Sequence, residues 1–169
     1  MLRQKIRNKE YNRLPIEAKN KLMFNDKIEV KDLLPNPILI KNKNNIEIIT
    51  EKALHYLILE DIELFMKELG NSFSFIGSEY KIKIGDRNHY IDLLLFNIKF
   101  SCYVVVELKV TKFKVEYISQ VQKYMNYIDK NIKGANNSTI GILICKKENN
   151  FVIEYCSDER IAIREYLLV

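Results

Sequence analysis

The sequence predicts one α/β domain in which helices cover a β-sheet and the elements follow in the order α-β-β-β-α-β-β. Two stretches repeat apolar residues every three or four positions, as helices do, and other stretches concentrate β-branched and aromatic residues, as strands do. The chain has 169 residues, 47% hydrophobic and 29% charged. This length and balance are typical of a single folded domain rather than of a disordered chain.

Two helices are predicted from the periodicity. The first begins at Glu51, after the capping residue Thr50, and ends at Gly70. Its apolar positions are Leu54, Leu57, Ile58, Ile62, Phe65 and Leu69. The second spans Val115–Ile132 and should cover the sheet with one apolar stripe. That stripe is formed by Ile118, Val121, Tyr124, Met125 and Ile128.

The predicted strands fall into two groups. The first group is an antiparallel meander with short turns at Gly85-Asp86-Arg87 and Asn97-Ile98-Lys99. Its strands are Phe73–Ile84, His89–Phe96 and Phe100–Lys109. The second group follows the second helix and finishes the chain as short strands, the first two apolar enough for a sheet interior. These are Thr139–Cys145, Phe151–Tyr155 and Ile161–Tyr166.

Residues 1–45 are predicted to be a basic, partly helical N-terminal arm, and residues 46–169 the compact domain. All three prolines, Pro15, Pro35 and Pro37, lie in the arm, where they indicate a boundary. Residues 1–43 carry eleven lysines and arginines against five acidic residues, whereas the rest of the chain is nearly neutral. Such an arm could contact phosphates, although a solvated linker with ordinary lysines explains the charge equally well.

Several functional classes are excluded by composition. The sequence lacks an apolar run long enough to cross a bilayer and lacks a signal-peptide core, so we expect a cytoplasmic protein without a membrane partner. Two histidines and three cysteines without a CxxC pair do not make a zinc cluster. We expect Cys102, Cys145 and Cys156 to be buried free thiols. Glycine-rich nucleotide-binding loops and nucleophile elbows are also absent.

The chemistry is expected at the end of the third strand, where Glu107 and Lys109 follow an apolar run. These two residues alone would also fit a strand that simply emerges into water. The preceding strand, however, carries Asp92 inside an apolar run, with no obvious surface role. If paired residue numbers in this hairpin sum to 199, Asp92 lies directly opposite Glu107; sums of 197 or 201 keep them on one face, and an even sum separates them.

Two carboxylates held so close together repel each other unless a cation lies between them. Hard oxygen ligands with open water positions suit Mg²⁺ or Mn²⁺. A cation bound there would polarise a phosphoryl oxygen and lower the pKa of a bound water, while Lys109 would position that water or stabilise the charge on the phosphate. The pattern therefore predicts hydrolysis of phosphodiester bonds.

Asp92, followed fifteen residues later by Glu107-Leu108-Lys109, resembles the D…ExK core of PD-(D/E)xK nucleases, with Ile91 in the place of the proline in the family name. Further motifs over about residues 46–169 resemble the bacterial YhcG-type branch. These are Glu51-Lys52-Ala53-Leu54, Glu68-Leu69-Gly70, Phe73-Ser74-Phe75-Ile76-Gly77, Tyr90-Ile91-Asp92-Leu93-Leu94, Val106-Glu107-Leu108-Lys109 and Ile140-Gly141-Ile142.

The resemblance implies a restriction-endonuclease-like core, a four-stranded mixed central β-sheet flanked by helices. It also implies that Asp92 and Glu107 bind the metal ion, that Leu108 lends its carbonyl oxygen, and that Lys109 is the catalytic lysine. Members often add an acid from the first helix. Glu51 matches that position best, and Glu60, Glu63 and Glu68 on the same helix remain alternatives.

The second helix carries Gln120 and Tyr124, four residues apart, which resemble the QxxxY element that lines the active site of RecB-like nucleases. Ser119 stands where the YhcG branch commonly has glycine. A surface glutamine and a core tyrosine would explain the pair without function. Lys112, Lys114 and Lys123 surround the start of this helix and are expected to contact the nucleic-acid backbone.

Two functions follow as hypotheses. The first is a metal-dependent endonuclease acting on DNA, in a restriction, defence or repair assembly, with residues 1–45 as the remnant of a helical N-terminal domain. We expect substrate choice to depend on a partner subunit or on self-association as a homodimer, because a lone domain offers few groups that read bases. The alternative is a catalytically silent DNA-binding or assembly subunit with the same fold.

Overall fold

The structure is a computed structural model that describes residues 11–24, 27–47, 49–132, 134–147, 153 and 158–169. Its helices and strands, numbered in chain order, are α1 (Ile16–Phe24), β1 (Ile38–Ile40), α2 (Glu51–Glu60), α3 (Ile62–Leu69), β2 (Phe73–Ile84), β3 (Arg87–Asn97), β4 (Cys102–Leu108), α4 (Val115–Asn131), β5 (Ile140–Cys145) and β6 (Ile161–Leu168). Short 3-10 turns lie at Tyr11–Arg13 and Val30–Leu33.

The strands form one mixed sheet in the order β1-β6-β5-β4-β3-β2. β2, β3 and β4 make the expected antiparallel meander, and β5, β6 and β1 add in parallel beyond β4. The predicted α/β class is therefore confirmed. The sheet is wider than the four strands implied by the resemblance, because β6 and β1 extend the edge beyond β5.

β1 lies before the expected boundary at residue 45, so the sheet begins within the segment predicted to be an arm. This segment is tied to β6 by Arg164, which is 9% exposed and donates hydrogen bonds to the carbonyl oxygens of Lys31 (2.7 Å) and Leu34 (3.4 Å). The side chain of Asn36 also accepts a hydrogen bond from the backbone of Glu165. A buried guanidinium requires such acceptors, which makes the segment structurally part of the sheet.

The first helix was predicted as one continuous element, and this is wrong, because the chain breaks at Asp61 (φ −137°, ψ 62°). The Asp61 carboxylate accepts a hydrogen bond from the backbone of Leu64 and so caps a new helix. Aspartate competes in this way for backbone N–H groups that helix interiors leave to carbonyls. The predicted ends are confirmed: Thr50 accepts from the backbone of Ala53 at 3.1 Å, and Gly70 ends α3 at φ 133°.

Apolar clusters cover both faces of the sheet. Against one face α2 and α3 pack onto Leu93, Val104 and Val106, and against the other α4 packs onto Val105 and Leu143. All five residues of the predicted α4 stripe are buried. Because β4 is covered on both faces, its whole length up to Leu108 is apolar except for Glu107.

Gly141 on β5 is the point of closest approach to α4. A Cβ atom there would lie 2.5 Å from Val121 Cγ1 and 2.9 Å from Met125 Sδ. We expect Gly141→Ala to lower the free energy of unfolding by about 1–3 kcal/mol, because α4 would have to shift. Chemical denaturation measures this. The control Gly77→Ala, whose Cβ would meet only Tyr80 at 3.7 Å, should lose less; equal losses would contradict the packing argument.

Two of the three cysteines lie among the described residues, whereas most of one predicted strand does not. Cys102 and Cys145 are buried free thiols, as expected, and burial raises the pKa of Cys102 to about 11. Cys156 lies outside the described residues, and so does the predicted strand Phe151–Tyr155 apart from Ile153. Across the described ranges, every helix is too short or too polar to traverse a bilayer.

Candidate active site

β3 and β4 separate at the point where their acidic residues occur. The last pair of the ladder is Leu93 with Val106, and the residue numbers of every pair sum to 199, one of the odd sums that keep Asp92 and Glu107 on one face. Continued by one residue, this register places Asp92 opposite Glu107. We call these two residues the carboxylate fork.

Side chains replace the backbone ladder at the carboxylate fork. The backbone N–H of Asp92 donates to Glu107 Oε1 at 3.1 Å, and the backbone N–H of Leu108 donates to Asp92 Oδ2 at 2.8 Å. Each carboxylate is thus fixed by the strand that carries the other one. A charge-assisted bond of this kind orients its acceptor and leaves the second oxygen of each carboxylate for another partner.

Glu107 is the more deeply buried acid, with 2% of its surface exposed. Burial and the neighbouring charge of Asp92 raise the pKa of Glu107 well above its ordinary value, while the hydrogen bond from Asp92 N–H and the charge of Lys109 oppose the rise. Two carboxyl groups held this close repel each other when both are ionised, so one of them keeps its proton to a higher pH unless a cation lies between them.

Lys109 follows β4 and is anchored to β5 by a hydrogen bond from its backbone N–H to the Ile144 carbonyl (2.8 Å). Only 13% of its side chain is exposed. Its Nζ lies 4.0 Å from Glu51 Oε1 at the start of α2 and 5.1 Å from the centre of the Tyr117 ring on α4. The Tyr117 hydroxyl is in turn hydrogen-bonded to Thr111 Oγ1. The ammonium is therefore held between a carboxylate and an aromatic face.

Gln120 and Tyr124 meet on α4, with Gln120 Nε2 3.2 Å from the Tyr124 hydroxyl. Tyr124 is almost fully buried. Burial raises the pKa of Tyr124, the hydrogen bond from Gln120 lowers it, and the charges of Glu107 and Asp92 raise it further. Those last two causes place the phenol within electrostatic reach of the carboxylate fork.

The donors at this position are carboxylate oxygens from two acids, Asp92 and Glu107. Within the described part of the chain, no group of three or more His, Cys, Asp or Glu side chains converges to hold a metal ion. A site of two carboxylates leaves coordination positions open, which suits Mg²⁺ or Mn²⁺ better than a closed structural zinc site. The raised pKa of Glu107 supports such a fit, because a cation would relieve the repulsion between the two acids.

A family model described as the YhcG PDDEXK nuclease domain matches residues 31–169, which is most of the chain. The chain belongs to this family of nuclease domains. The match includes β1 and all of the sheet, together with every residue of the carboxylate fork and its surroundings.

This YhcG-type domain is similar in sequence to part of a curated relative. It is 34% identical over 100 residues to the "Putative nuclease YhcG" of Escherichia coli (strain K12), an alignment that covers 59% of this chain and 27% of that protein. The aligned region therefore spans about a quarter of the length of that relative.

Similar solved structures include a repair endonuclease from Pyrococcus abyssi, with 20% identity and a TM-score of 0.47 over 74% of this chain and 49% of that chain. A complex of EndoMS with double-stranded DNA gives 17% identity and a TM-score of 0.46, over 76% and 48% of the respective chains.

The four glutamates of the predicted first helix have different partners in the structure. Glu51 is the one that approaches Lys109. Glu63 forms an ion pair with Lys67, Glu68 binds Arg13 and the backbone of Leu39, and Glu60 lies near Lys43. Glu60 is the last residue of α2, and the break at Asp61 places Glu63 and Glu68 on the separate helix α3.

The three lysines predicted to bind nucleic acid are exposed around α4. Lys114 is the residue before the helix, and Lys112 forms an isolated parallel bridge with Lys147. Lys123 Nζ lies 5.3 Å from the centre of the Tyr124 ring, which places its ammonium beside the pair of Gln120 and Tyr124.

Tyr117 and His89 are site neighbours that sequence reasoning did not select. The ring of His89 meets that of Tyr124 edge to face at 6.2 Å. Tyr117 was missed because its position, two residues into α4, resembles that of any half-buried aromatic. The signal that could have found it is its spacing from Gln120 and Tyr124, three and seven residues later, which puts all three on one side of the helix.

Proposed function

We propose that this domain is a metal-dependent nuclease that hydrolyses phosphodiester bonds, with DNA as the substrate. The observation that carries the proposal is the carboxylate fork, in which two acids from separate strands are fixed by reciprocal hydrogen bonds beside a nearly buried lysine. Membership of a nuclease domain family gives the reaction class.

Asp92, Glu107 and the Leu108 carbonyl would hold the cation. When bound, Mg²⁺ or Mn²⁺ would supply Lewis-acid polarisation of a phosphate oxygen and a more acidic water. The protein's part is to hold both carboxylates in a fixed orientation. The hydrogen bonds from the backbones of Asp92 and Leu108 do this at no reorganisation cost when substrate arrives.

Lys109 is proposed as the catalytic lysine that donates to the phosphate or to the attacking water. Its ammonium is held in place by Glu51 and the Tyr117 ring, so little rotamer freedom is lost on binding. Glu51, about half exposed, is proposed to accept a proton or a hydrogen bond from solvent at the same position.

Groups on and near α4 are proposed to bind the substrate. Gln120 and Tyr124 would border the scissile phosphate, and Lys112, Lys114 and Lys123 would neutralise phosphates further along the strand. Because few of these groups can read base edges, we expect sequence choice to depend on a partner subunit, on self-association, or on other parts of a longer protein, within a restriction, defence or repair context.

The direct test is to incubate the purified protein with plasmid DNA, single-stranded DNA and RNA. We expect DNA cleavage with Mg²⁺ or Mn²⁺ and none with chelator, and no cleavage by a Lys109→Ala variant in the same buffers. Equal cleavage by wild type and variant would indicate a contaminant or a different site. Cleavage of RNA alone would change the substrate and leave the reaction class.

Tyr117 gives a finer prediction about Lys109. Tyr117→Leu removes the aromatic face, and we expect kcat to fall by about threefold to thirtyfold with little change in KM, the range of one cation–π contact. Tyr117→Phe keeps the ring and loses only the hydroxyl contact with Thr111, so most of the activity should return. Steady-state cleavage of a labelled oligonucleotide measures both. Equal losses in the two variants would show that the ring does not position Lys109.

A further inference from the structure

The β2–β3 hairpin extends beyond the rest of the sheet. β4 pairs with β3 over Leu93–Asn97, whereas β2 pairs with β3 as far as Arg87. Residues 79–92 thus form a two-stranded projection, which we call the hairpin arm. Its base is Asp92 of the carboxylate fork, so whatever binds the hairpin arm lies next to the proposed reaction site.

The hairpin arm has one buried and one exposed face. Ile82 and Ile91 are almost fully buried and belong to the apolar cluster under α4. On the other face Lys81 lies directly opposite Tyr90, and Lys83 lies opposite Asn88, all four exposed. A purely structural hairpin needs its inner face alone. The Tyr90 ring and the two lysine amines lie on the exposed face.

Tyr90 is unusual among these residues, with 53% of its surface exposed. It lies two residues from Asp92, about 7 Å along the strand. An exposed aromatic ring beside a reaction site offers a face on which a nucleic-acid base can stack. A base inside a duplex has both faces covered by its neighbours, so such a ring gains most from an unpaired base.

The charges of the hairpin arm fit a polyanion. In the part of the chain that the structure describes, no ion pair joins Lys81, Lys83 or Arg87 to a carboxylate. The acids of the hairpin arm are at its base, Glu79 and Asp92, and at its tip, Asp86. The middle of the exposed face, where Lys81 meets Tyr90, therefore presents a cation beside an aromatic ring.

We propose that Tyr90 and Lys81 form a binding site for one unpaired nucleotide of the substrate, with the base stacked on the Tyr90 ring and a neighbouring phosphate bound by Lys81. The inference rests on the proposed function, since the substrate of the nuclease supplies the nucleotide. It adds a selection for unpaired nucleotides close to the cleaved bond. The unpaired nucleotide comes either from a single strand or from a base extruded from a duplex.

Binding is measured without cleavage, by fluorescence anisotropy in chelator, with the full chain and three labelled probes: oligothymidine, a fully paired duplex, and the same duplex with one mismatch. Tyr90→Ala should weaken binding of oligothymidine at least about fivefold, and Tyr90→Phe should restore it. Tyr56→Ala, at a tyrosine of similar exposure on α2, should have no effect. Thermal melting checks that each variant folds.

Lys81 is tested through salt dependence. Lys81→Ala should lower the slope of log affinity against log salt by about 0.7, the value for one phosphate contact on a single strand, whereas exposed Lys130→Ala should leave it unchanged. A slope that does not change in Lys81→Ala would remove Lys81 from the site.

The probes separate the outcomes. A loss in Tyr90→Ala confined to oligothymidine identifies single strands as the source of the nucleotide, and a loss shared with the mismatched duplex identifies an extruded base. An equal loss on the fully paired duplex, a failure of Tyr90→Phe to restore binding, or an effect of less than twofold would overturn the proposal. The binding assay contains chelator and so does not depend on cleavage. A protein that binds through the hairpin arm but never cleaves when metal ions are supplied would therefore contradict the proposed function and leave the binding site standing.

Discussion

Asp92→Asn is expected to reduce DNA cleavage at least about 100-fold. The variant replaces a carboxylate oxygen with an amide and so weakens the proposed cation site, whose contribution to catalysis is several kcal/mol, each about 1.4 kcal/mol being tenfold in rate. The fold should be retained, because the asparagine carbonyl can still accept the hydrogen bond from the Leu108 backbone. Initial cleavage rates at saturating Mn²⁺ measure the effect.

Glu107→Gln should behave in the same way, since its amide oxygen can still accept from the Asp92 backbone. The matched control is Glu63→Gln, an equally conservative change at an exposed ion pair on α3, which should cleave like the wild type. If Asp92→Asn and Glu107→Gln cleave as fast as Glu63→Gln does, the carboxylate fork is not the catalytic centre.

Metal ions are expected to stabilise the folded protein, and more strongly as pH rises. The pKa of Glu107 is raised in the folded state, so protonation of Glu107 stabilises the fold. This stabilisation is complete below the ordinary pKa of about 4.5 and is lost as pH rises through the higher folded value. The metal-free protein should therefore lose stability over this interval. A divalent cation reverses the loss, because it binds the ionised pair and takes the place of the proton.

At a cation concentration about 100 times the dissociation constant, the gain should be about 2.7 kcal/mol, a rise in Tm of about 5–10 °C for a domain of this size. Thermal unfolding near pH 8 and near pH 5, with and without Mn²⁺, measures it. In Glu107→Gln we expect the metal-free protein to be more stable than the wild type near pH 8, and the response to Mn²⁺ to be lost. A full response in that variant would mean that the cation binds elsewhere.

The hairpin register is the clearest case in which the sequence narrowed the possibilities. An acid interrupts each of two adjacent apolar strands, and both acids lie on one face of the sheet only if paired residue numbers give an odd sum such as 197, 199 or 201; the structure has 199. The helix break at Asp61 shows the opposite. Apolar periodicity continues unbroken through it, and the competing hydrogen bond to Leu64 is a local choice that periodicity does not reveal.

Long-range pairing accounts for most of the other differences. Ile38–Ile40 is too short for a strand signal and becomes one only because β6 offers a parallel edge and Arg164 holds the preceding segment. The contacts of Lys109 join the end of β4 to Glu51, far earlier in the sequence at the start of α2, and to Tyr117, eight residues later on α4. Contacts of this kind depend on the directions in which the helices pack, and these directions cannot be predicted from the patterns of a single sequence.

By itself, then, the sequence determined the α/β class, the meander, the stripe of α4 and the residues that form the carboxylate fork, because each depends on local periodicity or on the cost of burying a charge. Only the tertiary structure decided which glutamate reaches Lys109, that the strands separate at Asp92, and that Tyr90 remains exposed beside it. Those features depend on how separate elements pack against one another in space. The free energy that fixes them comes from this packing, which local patterns in the sequence do not reveal.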